Sequence, residues 1–172
     1  VRALAVRHSG PKFNALDAFK NYALEYLRSP SSFDSDKLLM AMRLAGWKRN
    51  GSFFCVCMEL TEAGQELHSA AYESVLFDHQ LHGYLSLEYG DRLLLLCNLG
   101  MVSEGRNEEC RRLAYIVRDN LFKSGISTEF TDFFLFPDYY LQAEAALQSG
   151  KECSSTQWLF KFEDYALHYV LN

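Results

Sequence analysis

The sequence contains little proline and no long hydrophobic run. Three prolines and ten glycines among 172 residues leave little room for long linkers, so the length fits one domain with at most a small subdomain. No apolar stretch approaches the roughly 18 residues that a membrane-spanning helix needs, which excludes a membrane span. Positive charge is also scarce, since 17 Lys and Arg face 22 Asp and Glu. This balance argues against a nucleic-acid-binding surface spread over the chain.

Several catalytic and metal-binding motifs are absent as well. The sequence has no glycine-rich phosphate loop and no Gly-x-Ser-x-Gly nucleophile motif. Cys55 and Cys57 share one face of a predicted strand, but a zinc site needs four ligands and no second close pair of cysteines exists. Five cysteines, an odd number, do not indicate a disulfide framework. We therefore predict buried free thiols in a reducing, cytoplasmic protein, with no metal, no cofactor and no catalytic residue.

Helical spacing dominates the first fifty residues. Apolar residues recur at helical spacing between 16 and 27, and Pro30 ends this segment. A second helix is predicted to begin after a cap at Asp34 or the next residue and to end at Gly46. We expect residues 1–50 to form a helical N-terminal extension.

After residue 50 the hydrophobic period changes from that of a helix to that of a strand. The run at 52–60 is almost wholly apolar, which is typical of a strand buried on both faces. Gly90-Asp91 lies between two further strand-like runs, which is typical of a tight hairpin. In chain order, the patterns predict a strand at 52–60, a helix at 63–79, strands at 82–88 and 92–98, a helix at 106–123 closed by Ser124-Gly125, and a strand at 126–130. After these six elements they predict a helix at 137–150, a strand at 158–162 and a terminal helix from 163. The first six elements follow the order β-α-β-β-α-β, which predicts an α+β, ferredoxin-like antiparallel sheet with helices over residues 51–172.

The ends of the sequence indicate a piece of a longer protein. The first residue is Val1 rather than Met, no signal-peptide pattern follows, and the chain ends at Asn172 after an apolar stretch. We therefore expect further segments outside these residues.

The hairpin between the second and third predicted strands reads Tyr89-Gly90-Asp91-Arg92-Leu93 and is followed by three leucines. It is similar to the signature of GGDEF-type nucleotide cyclases, which lies in the same turn of a β-α-β-β-α-β domain. Compared with that signature, Tyr89 replaces a glycine that lets the backbone approach the nucleotide. Arg92 replaces an acidic residue of metal-assisted phosphoryl chemistry. These changes predict that the hairpin is not a working cyclase site.

Three groups of motifs follow one another over nearly the whole chain. The groups are the helical entry 23–27 with Ala45-Gly46-Trp47 and the strand start 53–56, the hairpin at 89–92 with its leucine strand, and a last group of Gly125-Ile126-Ser127, Phe130-Thr131-Asp132-Phe133, the Tyr140-led helix 140–147 and Phe160-Lys161-Phe162-Glu163-Asp164. In their order and spacing they resemble the GGDEF-like domain of the CdaR/PucR family, bacterial transcription factors that regulate sugar-diacid and purine catabolism.

The resemblance implies a regulator whose DNA-binding helix-turn-helix lies C-terminal to this domain, commonly with a sensory domain on the N-terminal side. Contact with DNA is then expected only through a segment after Asn172. The implied role is non-enzymatic, in signal relay or self-association as a homodimer or higher oligomer, and it allows a small-molecule effector. A candidate ligand site lies between the hairpin and the first strand and consists of Glu59, Tyr89, Gly90, Asp91 and Arg92. The alternative interpretation of the same residues is a solvated turn beside ordinary strand ends.

Two other functions are compatible with the residues. A divergent nucleotide cyclase would use Asp91 and Glu59 to hold a metal ion. A helical adaptor would bind a partner through the aromatic group at 130–140, which is alternatively core packing. That group consists of Phe130, Phe133, Phe134, Phe136, Tyr139 and Tyr140.

Overall fold

The computed structural model describes residues 2–67, 82–102 and 104–171, with side chains over residues 15–66, 82–102 and 104–167. Its contacts divide the chain into two compact units, Val1–Asn50 and Gly51–Asn172. Over the described ranges, no helix combines the length and the apolar character that crossing a membrane requires.

The first unit consists of two helices, α1 (Arg2–Arg28) and α2 (Ser35–Leu44). The Asp34 side chain caps α2 by accepting a hydrogen bond of 3.0 Å from the backbone N–H two residues further on. Gly46 follows the helix at φ +84°, a left-handed conformation that glycine adopts without strain. The predicted helical extension is therefore confirmed, together with the cap and the end of its second helix.

The second unit is built on a six-stranded sheet, whose central part has the predicted order. The strands and helices of this part are β1 (Asn50–Leu60), α3 (Glu62–Leu67), β2 (Tyr84–Tyr89), β3 (Arg92–Asn98), α4 (Arg106–Asp119) and β4 (Phe122–Ile126). The strands lie in the order β2-β3-β1-β4, and each neighbouring pair is antiparallel. The α+β fold class and the ferredoxin-like order are therefore confirmed. The part of the predicted helix 63–79 after residue 67 lies outside the described residues.

Two further strands and two helices complete this unit. They are β5 (Phe130–Asp132), α5 (Phe136–Cys153), β6 (Leu159–Lys161) and α6 (Phe162–Leu171). β5 pairs with β1, whereas β6 pairs with β4 in parallel and adds a strand at the edge of the sheet. The predicted helix at 137–150, the strand at 158–162 and the terminal helix are present, with ends shifted by a few residues.

Alternate residues of β1 face opposite sides of the sheet. On one side, the even-numbered residues from Phe54 to Met58 form a core with the buried stripe of α4. On the other side, Cys55 Sγ lies 3.7 Å from the carbonyl oxygen of Phe136 at the start of α5. The sheet is therefore covered on both faces, and the second cover is a helix that the six-element order does not contain.

Most of the cysteines and most of the aromatic group at 130–140 are buried in the core. Four of the five cysteines are buried as predicted, but Cys153 is exposed at the end of α5. The members of the aromatic group at 130–140 that are at most 5% exposed are Phe130, Phe133, Phe136 and Tyr140. Because this group is largely core and the chain contains a six-stranded sheet, the helical structure of the adaptor alternative is wrong, whereas its binding of a partner stays a prediction.

The predicted boundary between α4 and the fourth strand is also wrong. The helix ends at Asp119 rather than at 123, and the strand occupies 122–126 rather than 126–130. Leu121 turns the chain at φ +62°, a conformation that leucine rarely adopts. Its carbonyl oxygen accepts hydrogen bonds from the Thr61 backbone N–H (3.0 Å) and hydroxyl (2.9 Å). These contacts, which are distant in sequence, hold the turn, and the Asn120 side chain caps the helix by donating to the carbonyl oxygen of Ile116 at 2.8 Å.

Gly125 lies inside β4 rather than at a helix end. A Cβ at this position would lie 2.0 Å from the carbonyl oxygen of Ala143 and 2.5 Å from the backbone nitrogen of Leu147, both in α5. The glycine therefore lets α5 cross the strand with close backbone contact, which is one of the reasons for glycine inside a strand.

Candidate functional site

The hairpin between β2 and β3 turns in two residues. Tyr89 and Arg92 pair across the strands, and Gly90 and Asp91 form the loop. Of the two loop residues only Gly90 has a positive φ, +65°, which is the pattern of a type II′ turn. Asp91 is exposed at the tip and forms no hydrogen bond or ion pair with the described residues. The structure thus leaves Asp91 apart from the other predicted site residues.

Arg92 is the centre of an ion-pair network at the base of the hairpin. Its guanidinium nitrogens lie 3.1 Å from Glu144 Oε2 on α5 and 3.8 Å from Glu59 Oε2 near the end of β1. Lys151, further along α5, donates to both carboxylate oxygens of Glu59 at 3.1 and 3.0 Å. Two cations therefore neutralise two carboxylates. These residues and two neighbouring tyrosines form what we call the Arg92 cluster: Glu59, Tyr89, Arg92, Tyr140, Glu144 and Lys151.

Two tyrosines and a thiol lie beside these charges. The rings of Tyr89 and Tyr140 meet edge to face with centroids 5.5 Å apart, and the Tyr140 hydroxyl donates to Glu144 Oε2 at 2.9 Å. Burial raises the pKa of Tyr140 above its usual range. Burial also raises the pKa of the Cys57 thiol to about 12, despite the opposing effect of the Arg92 charge. Both groups are neutral at pH 7, so the cluster is charged only through its two cations and two carboxylates.

The structure brings together three of the five predicted site residues, Glu59, Tyr89 and Arg92. Gly90 and Asp91 lie beyond them in the turn. Sequence reasoning missed the residues that α5 contributes, which are Tyr140, Glu144 and Lys151. Their spacing of four and seven residues places them on one face of a helix, and this polar stripe was the available signal. Ligand binding by these assembled residues stays a prediction.

The Arg92 cluster does not fit a cyclase metal site. Metal-assisted phosphoryl chemistry needs carboxylate oxygens that are free to ligate a divalent cation. Both oxygens of Glu59 are bonded to Lys151, and Glu144 is bonded to Arg92 and Tyr140. In the part of the chain that the structure describes, no group of three His, Cys, Asp or Glu side chains is arranged to hold a metal. The positive charge beside these carboxylates comes from the protein's own side chains.

A second arginine joins three elements of the sheet-bearing unit. Arg106, at the start of α4, donates to the carbonyl oxygen of Ser127 after β4 from Nε (3.2 Å) and Nη2 (2.8 Å). It also binds both carboxylate oxygens of Glu163 at 2.7 and 2.8 Å. Burial alone would raise the pKa of Glu163, but the hydrogen bonds and charge of Arg106 hold it below its usual range. This bidentate pair fixes the beginning of α6 to the sheet, and no local pattern links residues 57 positions apart.

Comparison with known proteins identifies the family. The family model described as GGDEF-like domain matches residues 30–149, more than half of the chain. The chain belongs to the GGDEF-like domain family. The matched part of this GGDEF-like domain begins before α2, includes the hairpin, and contains every member of the Arg92 cluster except Lys151. Its N-terminal limit therefore lies outside the sheet-bearing unit that begins at Gly51.

The GGDEF-like domain is also similar to a solved structure, the crystal structure of a regulator of polyketide synthase expression from Bifidobacterium adolescentis. The TM-score is 0.56 at 16% sequence identity, and the match covers 94% of this chain. The chain spans 64% of that structure. At this identity the likeness shows a shared fold. No curated protein sequence matches the chain.

Proposed function

We propose that this GGDEF-like domain is a non-enzymatic regulatory domain of a bacterial transcription regulator of the CdaR/PucR type, with a role in signal relay or self-association. The observation that carries the proposal is the position of Arg92 between Glu59 and Glu144, at the hairpin where the resemblance places cyclase chemistry. The regulator with the same fold supports the regulatory class. The motif order from residue 23 to residue 164 supports the CdaR/PucR type.

Catalysis at this hairpin would meet two physical obstacles. A divalent cation would have to displace Arg92 and Lys151 from the carboxylates that they neutralise, and both displaced cations would then repel it. In addition, Tyr89 packs against Tyr140 where the cyclase signature has a glycine that allows close approach of the nucleotide. Both obstacles support a role without catalysis.

The relay role is supported by the contacts of α6. In a regulator of the proposed type, α6 leads toward the C-terminal DNA-binding segment. Arg106 binds Glu163 in the first turn of α6 and Ser127 after β4 at the same time. A shift of α4 or of the end of β4 would therefore be passed to α6 rather than absorbed by a loop.

Incubation of the protein with GTP and Mg²⁺ tests for catalysis, with an active GGDEF cyclase as the positive control. We expect no release of pyrophosphate and no cyclic dinucleotide above background, because Glu59 and Glu144 are already neutralised. Product formation that Asp91→Ala abolishes would contradict the proposal and establish the divergent cyclase.

The full-length gene product tests the regulatory role. We expect it to contain a helix-turn-helix after residue 172, to bind specific DNA, and to sediment as a homodimer or higher oligomer. In this protein Glu163→Gln should alter the transcriptional response, whereas Glu108→Gln, in an exposed pair with Arg111, should not. A gene product without a DNA-binding segment would contradict the proposal.

A further inference from the structure

We propose that the groove between α4 and β6 binds a small planar anion, that is, a flat aromatic ring that carries a carboxylate or a phosphate. The groove has a volume of about 620 Å³, which is in the range of small-molecule sites. It is lined by other residues than the Arg92 cluster. The inference concerns binding alone and stands or falls independently of the proposed regulatory role.

One face of α4 forms the first wall of the groove. The lining positions on this helix are 107, 110, 111, 114, 115 and 118, which recur at the three- and four-residue spacing of one helix face. The second wall is formed by positions 157, 158, 159 and 161, the last two of which belong to β6. Cys110 is buried, and Leu159 packs against the same core. The groove therefore has an apolar inner side made of the helix and the edge strand.

The outer part of the groove is positively charged, although the chain carries a net charge of −5. Arg111, Arg118 and Lys161 are among the lining residues, and no Asp or Glu is. Arg111 and Arg118 each have an exposed partner outside the lining, Glu108 at 3.0 Å and Asp119 at 3.1 Å. Surface pairs of this kind are weak, so both guanidinium groups can turn toward a ligand. Charge complementarity therefore selects an anion.

Two aromatic side chains favour a flat ligand. Tyr115 is 57% exposed, and the Arg118 guanidinium lies 5.2 Å from the centre of its ring. Trp158 is half-buried, and Lys123 Nζ lies 4.6 Å from the centre of its ring. Both residues line the groove, and Tyr and Trp rings are stacking surfaces for aromatic ligands. A ligand ring stacked on either of them would bring its negative group within reach of the surrounding cations.

Calorimetric titration of the whole protein with four probes tests the proposal. 1-Naphthoate and AMP carry both a ring and a negative charge, whereas 1-naphthalenemethanol and adenosine carry the ring alone. We expect at least one anion to bind with a Kd below about 1 mM and its neutral counterpart to bind at least about tenfold more weakly. Binding of 1-naphthoate alone would assign a carboxylate ligand, and binding of AMP alone would assign a phosphate ligand. Binding of both would show that the groove recognises an aromatic ring with either negative group.

Single substitutions locate the binding site. Lys161→Gln and Arg118→Gln should each raise the Kd about tenfold, and added salt should weaken binding by the wild-type protein. Trp158→Phe should remove the tryptophan fluorescence change on binding, because Trp47 is buried in the first unit. Arg43→Gln, which removes an exposed cation from α2, is the matched control and should leave the Kd unchanged. Failure of both anions to bind, or binding that none of the groove variants affects, would overturn the proposal.

Discussion

At the scale of single residues, the crossing of α5 over β4 leaves no space for a side chain at Gly125. An added Cβ would lie 2.0 Å from the carbonyl oxygen of Ala143, a backbone atom that cannot rotate away. Gly125→Ala should therefore lower the free energy of unfolding by about 3 kcal/mol and the Tm by roughly 10 °C. Thermal unfolding followed by circular dichroism measures the change.

The control for this substitution is Gly105→Ser. A Cβ at Gly105 meets nothing within 4 Å, and a serine hydroxyl at this position can cap α4. Its Tm should match or slightly exceed that of the wild type. An unchanged Tm for Gly125→Ala would mean that the helix and the strand can separate here at little cost.

The Arg92 cluster shows which members of a site can be predicted from the sequence and which cannot. Glu59 could be grouped with the hairpin, because the antiparallel register of β1 and β3 pairs Met58 with Leu93 and so brings the two strand ends together. The contribution of α5 could not be placed in this way. Glu144 reaches Arg92 only because of how the helix crosses the sheet, and the close approach at Gly125 is invisible in local patterns.

At the scale of elements, the pair between Arg106 and Glu163 makes the attachment of α6 depend on pH. The pKa of Glu163 is lowered in the folded protein, so the pair stabilises the fold fully above the usual carboxyl pKa of about 4.3 and loses its effect as the pH falls through the lowered value. Glu163→Gln should cost about 1 kcal/mol or less at pH 7, because the carboxylate is 44% exposed, and almost nothing at pH 3.

Urea unfolding of the wild type and of Glu163→Gln at both pH values measures this difference. Glu108→Gln, in an exposed pair with Arg111, is the control and should show little effect at either pH. A difference between wild type and Glu163→Gln that stays constant from pH 7 to pH 3 would contradict the assignment of the pair.

The boundaries of helices and strands could be predicted where a cap, a stop or a turn in the local sequence marks them. α2 has its cap at Asp34 and its stop at Gly46, and β3 begins directly after the hairpin at the predicted residue. The end of α4 has no glycine or proline stop: the Asn120 side chain caps the helix, and hydrogen bonds from Thr61 hold Leu121 in the turn that follows. The parallel pairing of β6 could not be predicted either, because it depends on the path of α5 across the sheet.

At the scale of the whole molecule, the family match and the compact unit place the N-terminal boundary of the domain at different residues. The family match begins at residue 30, whereas the sheet-bearing unit begins at Gly51. Because the sheet is covered on both faces by helices of its own unit, we expect a fragment of residues 51–172 to fold alone. Circular dichroism and thermal unfolding would show a cooperative transition. If only a longer fragment of residues 30–172 unfolds cooperatively, α2 belongs to the domain and the predicted boundary is wrong.

The parallel strand at the edge of the sheet also has a mechanical consequence. Because β1 is antiparallel to β4 and β6 is parallel to it, the chain enters β1 and leaves β6 at the same end of the sheet. Tension applied between these two points would peel the strands apart one hydrogen-bonded pair at a time, instead of shearing all pairs together. We therefore expect small forces applied at these two points to open the sheet-bearing unit from the side where β1 begins.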